Sequence, residues 1–167
     1  MTDSKETGGE LAVVVGATGD FGQAIVARLR AEGLRVIAVA RSAASLAALA
    51  GGAPAIVPCE ADIACDAAVE RIAAVLDRPV RMVVHGPGVA VAGGILAAAT
   101  ESVVDAVNIK VGGMLRRVRA ADSRLAEGAR LVAIGGHYGL EPTAYAAAAG
   151  VANAALINVM RQLSLAY

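Results

Sequence analysis

Aromatic residues are almost absent from this sequence, which has no tryptophan, one phenylalanine and three tyrosines among 167 residues. Hydrophobic residues nevertheless make up 57% of the chain. The interior must therefore be built from alanine, valine, leucine and isoleucine, which suits close packing of helices against a parallel sheet. A chain of this length fits one domain with one core.

An excess of charge is also absent, since 15 lysine and arginine residues balance 15 aspartate and glutamate residues. A neutral chain without a basic stripe or a ladder of aromatic residues lacks the features of a nucleic-acid-binding surface. We therefore expect no polynucleotide partner.

Cysteine is scarce, and the spacing of Cys59 and Cys65 matches no zinc pattern. We expect neither a metal site nor a disulfide. The polar N-terminal tail, residues 1–10, lacks the apolar core of a signal peptide. This predicts a cytoplasmic protein with a single domain over residues 11–167.

A long apolar run occurs once, over residues 144–160, and it is mostly alanine. Gly150, Asn153 and Asn158 interrupt it, and it is shorter than the roughly 20 residues that cross a bilayer. We expect a helix buried in an interface and no membrane partner.

Runs of β-branched residues alternate with alanine-rich segments along the chain, which is typical of repeated strand–helix–strand units. The pattern predicts an α/β fold: a Rossmann-type, doubly wound parallel sheet of order 3-2-1-4-5 with helices on both faces. The predicted strands are 11–16, 34–40, 55–58, 80–85 and 130–135. The predicted helices are 20–32, 42–50, 65–76, 101–125 and 143–166.

A glycine-rich turn follows the first predicted strand and opens the first helix, with Gly16, Gly19 and Gly22 spaced three apart. Glycines there allow a sharp bend and a close approach to a pyrophosphate, while the free N–H groups of the helix favour the anion. We expect the whole turn to bind cofactor, including Thr18, Asp20 and Phe21.

Arg41 and Ser42 end the second predicted strand, where the adenosine ribose of a dinucleotide would lie. An acid at this place binds the hydroxyls of NAD, whereas an arginine pairs with the 2′-phosphate, so Arg41 predicts NADP(H). A solvated arginine at a strand end is the alternative. Asp62 and Ile63 follow the third strand; the Asp62 carboxylate could accept from the adenine amino group or cap a helix.

These features, in this order, resemble the short-chain dehydrogenase/reductase family from about residue 11 onward. Asp62-Ile63 resembles the family's adenine-contacting pair. The segment His85-Gly86-Pro87-Gly88 occupies the place of its Asn-Asn-Ala-Gly signature, which implies cofactor contacts from His85, Gly86 and Gly88. Residues 107–121, with Gly113 and Arg119, resemble the long helix that follows.

The resemblance also implies a catalytic Tyr-x-x-x-Lys pair on one helix and a serine at the end of the fifth strand. The family lysine lowers the pKa of the tyrosine so that it can exchange a proton with the substrate. We take Tyr145 as the tyrosine, but Ala149 stands at the lysine position, and Gly135-Gly136 replaces the serine.

Lys110 is one of two lysines in the chain and stands where the family has a structural asparagine, if Gly113 and Arg119 are aligned. We hypothesise that it supplies the cation that position 149 lacks; an ordinary surface lysine is the alternative. His137 and Tyr138 are rival proton-transfer residues, and the His85 imidazole is a further candidate.

The resemblance implies a further strand and a substrate-covering loop after the last helix, whereas this sequence stops at Tyr167. We expect a second copy to cover the exposed sheet edge, giving a homo-oligomer paired through helices 101–125 and 143–166.

Two functions remain open. One is an NADP(H)-dependent oxidoreductase acting on a small carbonyl or hydroxyl compound. The other is a relative without redox activity, such as a non-redox cyclase or isomerase, a regulator or a partner subunit.

Overall fold

The computed structural model describes residues 9–91 and 93–167. Residues 1–8 of the predicted N-terminal tail lie outside the described residues. Five parallel strands form one sheet, with the order β3-β2-β1-β4-β5. They are β1 (Leu11–Val15), β2 (Arg35–Ala40), β3 (Ile56–Glu60), β4 (Val80–His85) and β5 (Leu125–Ala133). The predicted Rossmann-type order is confirmed.

Six α-helices flank the sheet in the described part of the chain: α1 (Asp20–Ala31), α2 (Ala43–Ala50), α3 (Ala67–Ala73), α4 (Thr100–Val107), α5 (Gly113–Ala121) and α6 (Ala147–Leu163). A π-helical segment, Asn108–Gly112, joins α4 to α5. Short 3₁₀ turns cover Asp122–Arg124 and His137–Gly139. The helix predicted over residues 101–125 is thus four successive segments, α4, the π-helical segment, α5 and a 3₁₀ turn, and residue 125 already belongs to β5.

Two layers of core lie on opposite faces of the sheet, because side chains alternate along each strand. In β1, Ala12 and Val14 pack with α1 and α2, whereas Leu11, Val13 and Val15 pack with α3 and α5. All five residues of β1 are buried, as expected for a central parallel strand. Strand β1 is therefore fixed between β2 and β4, and its carboxyl end provides a rigid base for the glycine turn.

Strand β5 begins five residues before its predicted start, and its register with β4 is broken. Val80 pairs with Leu125, but Met82 pairs with Arg130. The additional residues of β5 include Gly128, whose φ of +69° is favourable only for glycine. The predicted start at residue 130 was wrong because this irregular stretch hides the alternation of apolar residues.

Helix α6 begins at Ala147, four residues later than predicted, and ends at Leu163. The Ala147 N–H donates to the Gly93 carbonyl at 2.9 Å, so a contact with a distant loop sets the start of the helix. No helix among the described residues combines the length and apolar character needed to cross a membrane.

Candidate functional site

A cleft of about 250 Å³ opens at the carboxyl ends of β1, β2 and β4. Its base is tied to the sheet, since the Gly16 N–H donates to Val39 O at 2.9 Å and the Gly86 N–H donates to Val15 O at 3.0 Å. The lining includes Gly16, Thr18, Gly19, Arg41, Asp62, Ile63, Gly86 and Gly88. Eight of the predicted cofactor-contacting residues therefore lie together.

The glycine turn is built so tightly that side chains would not fit at two positions. Gly16 has a φ of +80°, and a Cβ there would lie 3.1 Å from the Gly86 carbonyl carbon. A Cβ on Gly22 would overlap the Gly16 carbonyl oxygen and lie 2.8 Å from the Ala17 Cα. Helix α1 thus starts directly behind the turn, with its axis close to the cleft.

Helix α1 begins at the cleft, which Gly19 lines. Gly19 is the N-cap residue, and no side chain caps this end of the helix. The first N–H groups of a helix have no acceptor within the helix, so a phosphate could accept from them. Asp20 and Phe21 lie on this first turn with exposed side chains, and Phe21 is 75% exposed. Gly22 is buried beneath them.

Arg41 lies at the rim of the cleft with its side chain exposed. Its guanidinium has no hydrogen bond or ion pair to any residue that the structure describes, so its donors are available to a ligand. Ser42 differs, because its Oγ caps α2 and accepts from the Ser45 N–H at 3.2 Å and the Ser45 Oγ at 3.0 Å. The Ser42 hydroxyl is engaged in the fold.

Asp62 lines the cleft beyond the end of β3, and its Oδ1 accepts from the Ala64 N–H at 3.0 Å. This bond closes a local turn before α3, whose N-cap residue is Asp66, so the helix-capping alternative for Asp62 was wrong. Its other carboxylate oxygen makes no hydrogen bond to a described residue. Ile63 is 6% exposed and presents a small apolar surface to the cleft.

His85 does not present its imidazole to the cleft, so its proposed acid–base role is contradicted by the structure. The ring is completely buried, and its Nε2 donates to Ile109 O at 3.0 Å. Burial, with Arg117 and Lys110 nearby, lowers the pKa of His85 to about 2. The ring is therefore neutral at physiological pH. The neighbouring Gly86 and Gly88 line the cleft.

Lys110 is buried, with 5% of its surface exposed, and is not a surface lysine. It lies in the π-helical segment, and its Nζ donates to Ile134 O at 2.9 Å. Burial lowers the pKa of its amino group. The side chain therefore delivers an amino group to the carboxyl end of β5, next to Gly135-Gly136.

Tyr145 lies outside α6, so it does not share a helix with position 149. Its side chain is 56% exposed, and its hydroxyl is 2.9 Å from the Tyr138 hydroxyl. The ring of His137 is 4.2 Å from that of Tyr138. The three candidate proton-transfer residues of this loop therefore form one cluster at its surface.

Asn153 is a site residue that the sequence analysis did not select. It lies on α6, is 5% exposed, and its Oδ1 has no hydrogen-bond partner among the described residues. A Cβ on Gly136 would lie 3.0 Å from the Asn153 Nδ2. Asn153 therefore faces the carboxyl end of β5. Lys110 donates its hydrogen bond to Ile134 O at the same strand end.

The described fold and cleft define the class of Rossmann-type α/β proteins. The sequence profile of the family described as "short chain dehydrogenase" matches residues 10–167. The chain belongs to this short-chain dehydrogenase family. No curated protein matches the sequence significantly.

Solved structures show the same architecture. A short-chain dehydrogenase from Streptomyces avermitilis is 26% identical with a TM-score of 0.85, over 98% of this chain and 61% of that one. A blue fluorescent protein from a metagenomic library, in complex with NADPH, is 26% identical with a TM-score of 0.81, over 93% and 68% of the chains. A Burkholderia phymatum short-chain dehydrogenase/reductase in complex with NAD is 18% identical with a TM-score of 0.85, over 95% and 60% of the chains. This chain thus spans about three fifths of the Streptomyces and Burkholderia relatives.

The structure contains a second residue pair with the four-residue spacing of the family's Tyr-x-x-x-Lys motif. Ala149 and Asn153 are four residues apart on α6, both are buried, and Asn153 adjoins Gly136 at the serine's place. Tyr145, by contrast, lies before the start of α6. One signal was present in the sequence: Asn153 is an isolated amide, of low helix propensity, in an alanine-rich helix.

Proposed function

We propose that this chain is an NADP(H)-dependent oxidoreductase that acts on a small carbonyl or hydroxyl compound with an altered set of catalytic residues. The observation that carries the proposal is the unpaired Arg41 guanidinium on the rim of a cleft whose base is the glycine turn. A dianionic 2′-phosphate needs such a cation, whereas the ribose hydroxyls of NAD do not.

The residues present fit the dinucleotide. The open amides of the first turn of α1 would hold the pyrophosphate, Arg41 the 2′-phosphate, and Asp62 and Ile63 the adenine. The absence of Cβ atoms at Gly16 and Gly22 lets the helix approach the cleft this closely. When bound, the nicotinamide supplies or accepts the hydride.

Proton transfer falls to residues that differ from the family pattern. The Lys110 amino group, held on Ile134 O, places N–H donors at the carboxyl end of β5. Tyr145 and Tyr138 share a hydrogen bond and retain one hydroxyl hydrogen between them that can be donated outward. In the proposal Lys110 orients the substrate oxygen, and Tyr145 is the proton donor or acceptor.

A relative without redox activity is the second candidate, and one observation favours it. If the motif starts at Ala149, then Gly136, Ala149 and Asn153 stand at the places of the family's serine, tyrosine and lysine, and Asn153 does lie beside Gly136. None of these side chains titrates in the physiological range. A chain that binds the nucleotide but transfers no hydride would serve as a non-redox isomerase, a regulator or a partner subunit.

One set of measurements separates the candidates. NADPH and NADH are titrated into the purified protein while the fluorescence of the reduced cofactor is followed, and a panel of ketones and aldehydes is then screened for loss of NADPH absorbance. Binding with turnover that falls in Lys110→Met and Tyr145→Phe supports the oxidoreductase. Binding without turnover supports the second candidate, and failure to bind either nucleotide refutes both.

We also propose that two copies pair through α4, α5 and α6. Val104 and Val151 are 58% and 43% exposed on α4 and α6, and small residues along α6 allow close approach of a second helix. Sedimentation equilibrium at micromolar concentration tests this pairing, and a monomer would contradict it.

A further inference from the structure

A cavity of about 690 Å³ shares no lining residue with the nucleotide cleft. It lies between the loop of residues 94–97, the loop of residues 138–144 and the first two turns of α6. Its volume falls within the range of small-molecule sites in proteins.

The two loops are joined to each other and to α6. A Cβ on Gly94 would overlap the Ala144 carbonyl oxygen, and the Ala147 N–H donates to Gly93 O at 2.9 Å. Across the cavity, a Cβ on Gly139 would lie 2.8 Å from the Ala154 N. The glycines thus allow backbone to meet backbone around the cavity, which gives it a defined shape.

The lining has no charged side chain. An ion moved into such surroundings would lose its hydration without a partner, which is costly. Charge complementarity therefore selects an uncharged ligand, and Leu96, Pro142 and Val151 provide apolar surface for it.

Two polar side chains line the cavity, Tyr138 and Thr143, and the buried Thr143 hydroxyl has no hydrogen-bond partner among the described residues. Tyr138 lines the cavity, and its hydroxyl is bonded to that of Tyr145, with the two rings edge to face at 5.7 Å. The bond to Tyr145 raises the pKa of Tyr138, so the Tyr138 hydroxyl stays protonated at neutral pH. Two of the three tyrosines of an aromatic-poor chain thus meet here.

We infer that this cavity binds a neutral, mainly apolar molecule carrying one ketone, aldehyde or hydroxyl oxygen, which accepts a hydrogen bond from the Tyr138–Tyr145 pair. The inference rests on the proposed function, because such a molecule is the substrate class it assigns to a carbonyl oxidoreductase.

The test uses 2-octanone as the probe, without nucleotide, so that its result is independent of NADP(H) binding. Because the chain has no tryptophan, its ultraviolet emission comes from tyrosine and reports on the cavity directly. Saturable binding of 2-octanone, seen by tyrosine fluorescence and calorimetry, is expected, with octanoate at least tenfold weaker. Tyr167→Phe removes the tyrosine whose hydroxyl bonds to Asp122, and it should leave the fluorescence change in place.

Two exposed positions one turn apart on α6 provide matched variants. Ala154→Leu fills the cavity wall and should weaken 2-octanone binding at least tenfold, whereas Asn158→Leu, outside the lining, should change it less than twofold. Tyr145→Phe should weaken binding about three- to tenfold, as for loss of one neutral hydrogen bond.

Equal binding of octanoate, equal effects of the two leucine variants, or no saturable binding would overturn the inference. Sedimentation of Ala154→Leu identifies the rival occupant: loss of self-association without any 2-octanone binding would assign the cavity to a second copy. NADPH binding without 2-octanone binding would refute this inference alone.

Discussion

Replacement of Arg41 by alanine should weaken NADPH binding far more than NADH binding. The guanidinium stands at the rim of the cleft without a partner among the described residues, so its removal leaves no buried charge behind. A hydrogen bond to a charged group contributes about 1.5–3 kcal/mol, and solvent exposure favours the lower part of this range. A loss of about 1.5–2 kcal/mol corresponds to a roughly 12- to 30-fold weaker NADPH affinity.

The assay is a fluorescence titration of both reduced nucleotides into the wild-type protein and Arg41→Ala. The four affinities form a thermodynamic cycle that isolates the interaction of Arg41 with the 2′-phosphate. NADH affinity should change less than twofold, and the NADPH preference should decrease as salt rises. Arg30→Ala is the control, since this arginine lies in α1 and lines a cavity that shares no residue with the cleft.

An equal loss of NADPH and NADH affinity would refute the reasoning, because Arg41 would then act on something common to both nucleotides. A wild-type protein that prefers NADH would refute it as well.

Three further outcomes are expected. Gly22→Ala should destabilise the fold by more than about 2 kcal/mol in urea unfolding and abolish nucleotide binding, because the new Cβ would overlap backbone atoms. Gly19→Ala is the control. Its Cβ would lie 3.6 Å from the nearest atom, so this variant should retain wild-type stability. Lys110→Met should remove part of the pH dependence of the unfolding free energy. Burial lowers the pKa of Lys110 below its ordinary 10.5 in the folded protein. The stability of the wild type should therefore rise relative to that of the variant as the pH increases toward 10.5. His85→Gln should unfold less readily in acid than the wild type. The pKa of His85 is about 2 in the folded protein and 6.5 in the unfolded chain. The wild type therefore loses up to about 1.4 kcal/mol of unfolding free energy for each pH unit below 6.5.

Each of these expectations has a contradicting result. Equal stability of the two glycine variants would show that the turn is not as closely packed as described. Parallel pH profiles of Lys110→Met and the wild type between pH 7 and 10.5 would place the amino group in solvent. Parallel profiles below pH 6.5 for His85→Gln would mean that the imidazole is accessible to protons in the folded state.

The sheet could be predicted from the sequence because its central strands are short, apolar and followed by turn residues. Strands β1, β2 and β4 begin and end within one residue of their predicted bounds. Strand β5 could not be placed so well, because the residues around Gly128 break the register with β4 and carry no regular alternation.

The candidate site was predictable where the backbone defines it and not where tertiary contacts do. The glycine turn, Arg41 and Asp62 lie in the cleft as the strand ends implied. The start of α6 depends on a hydrogen bond from Ala147 to Gly93, far away in the sequence, and alanine runs carry no capping signal of their own. Asn153, which α6 brings next to Gly136 at the carboxyl end of β5, was not selected from the sequence for the same reason.

The π-helical segment Asn108–Gly112 fixes the angular phase of α5 relative to α4. A π turn holds more residues than an α turn, and each α-helical residue advances about 100° around the axis. Because the π segment holds one residue more than the α-helical stretch it replaces, deletion of a single residue such as Val111 should restore a continuous α-helix and leave Met114 and Arg117 on the buried side of α5. Loss of one residue should therefore be tolerated in this turn, whereas loss of two would rotate the buried side of α5 by about 100°.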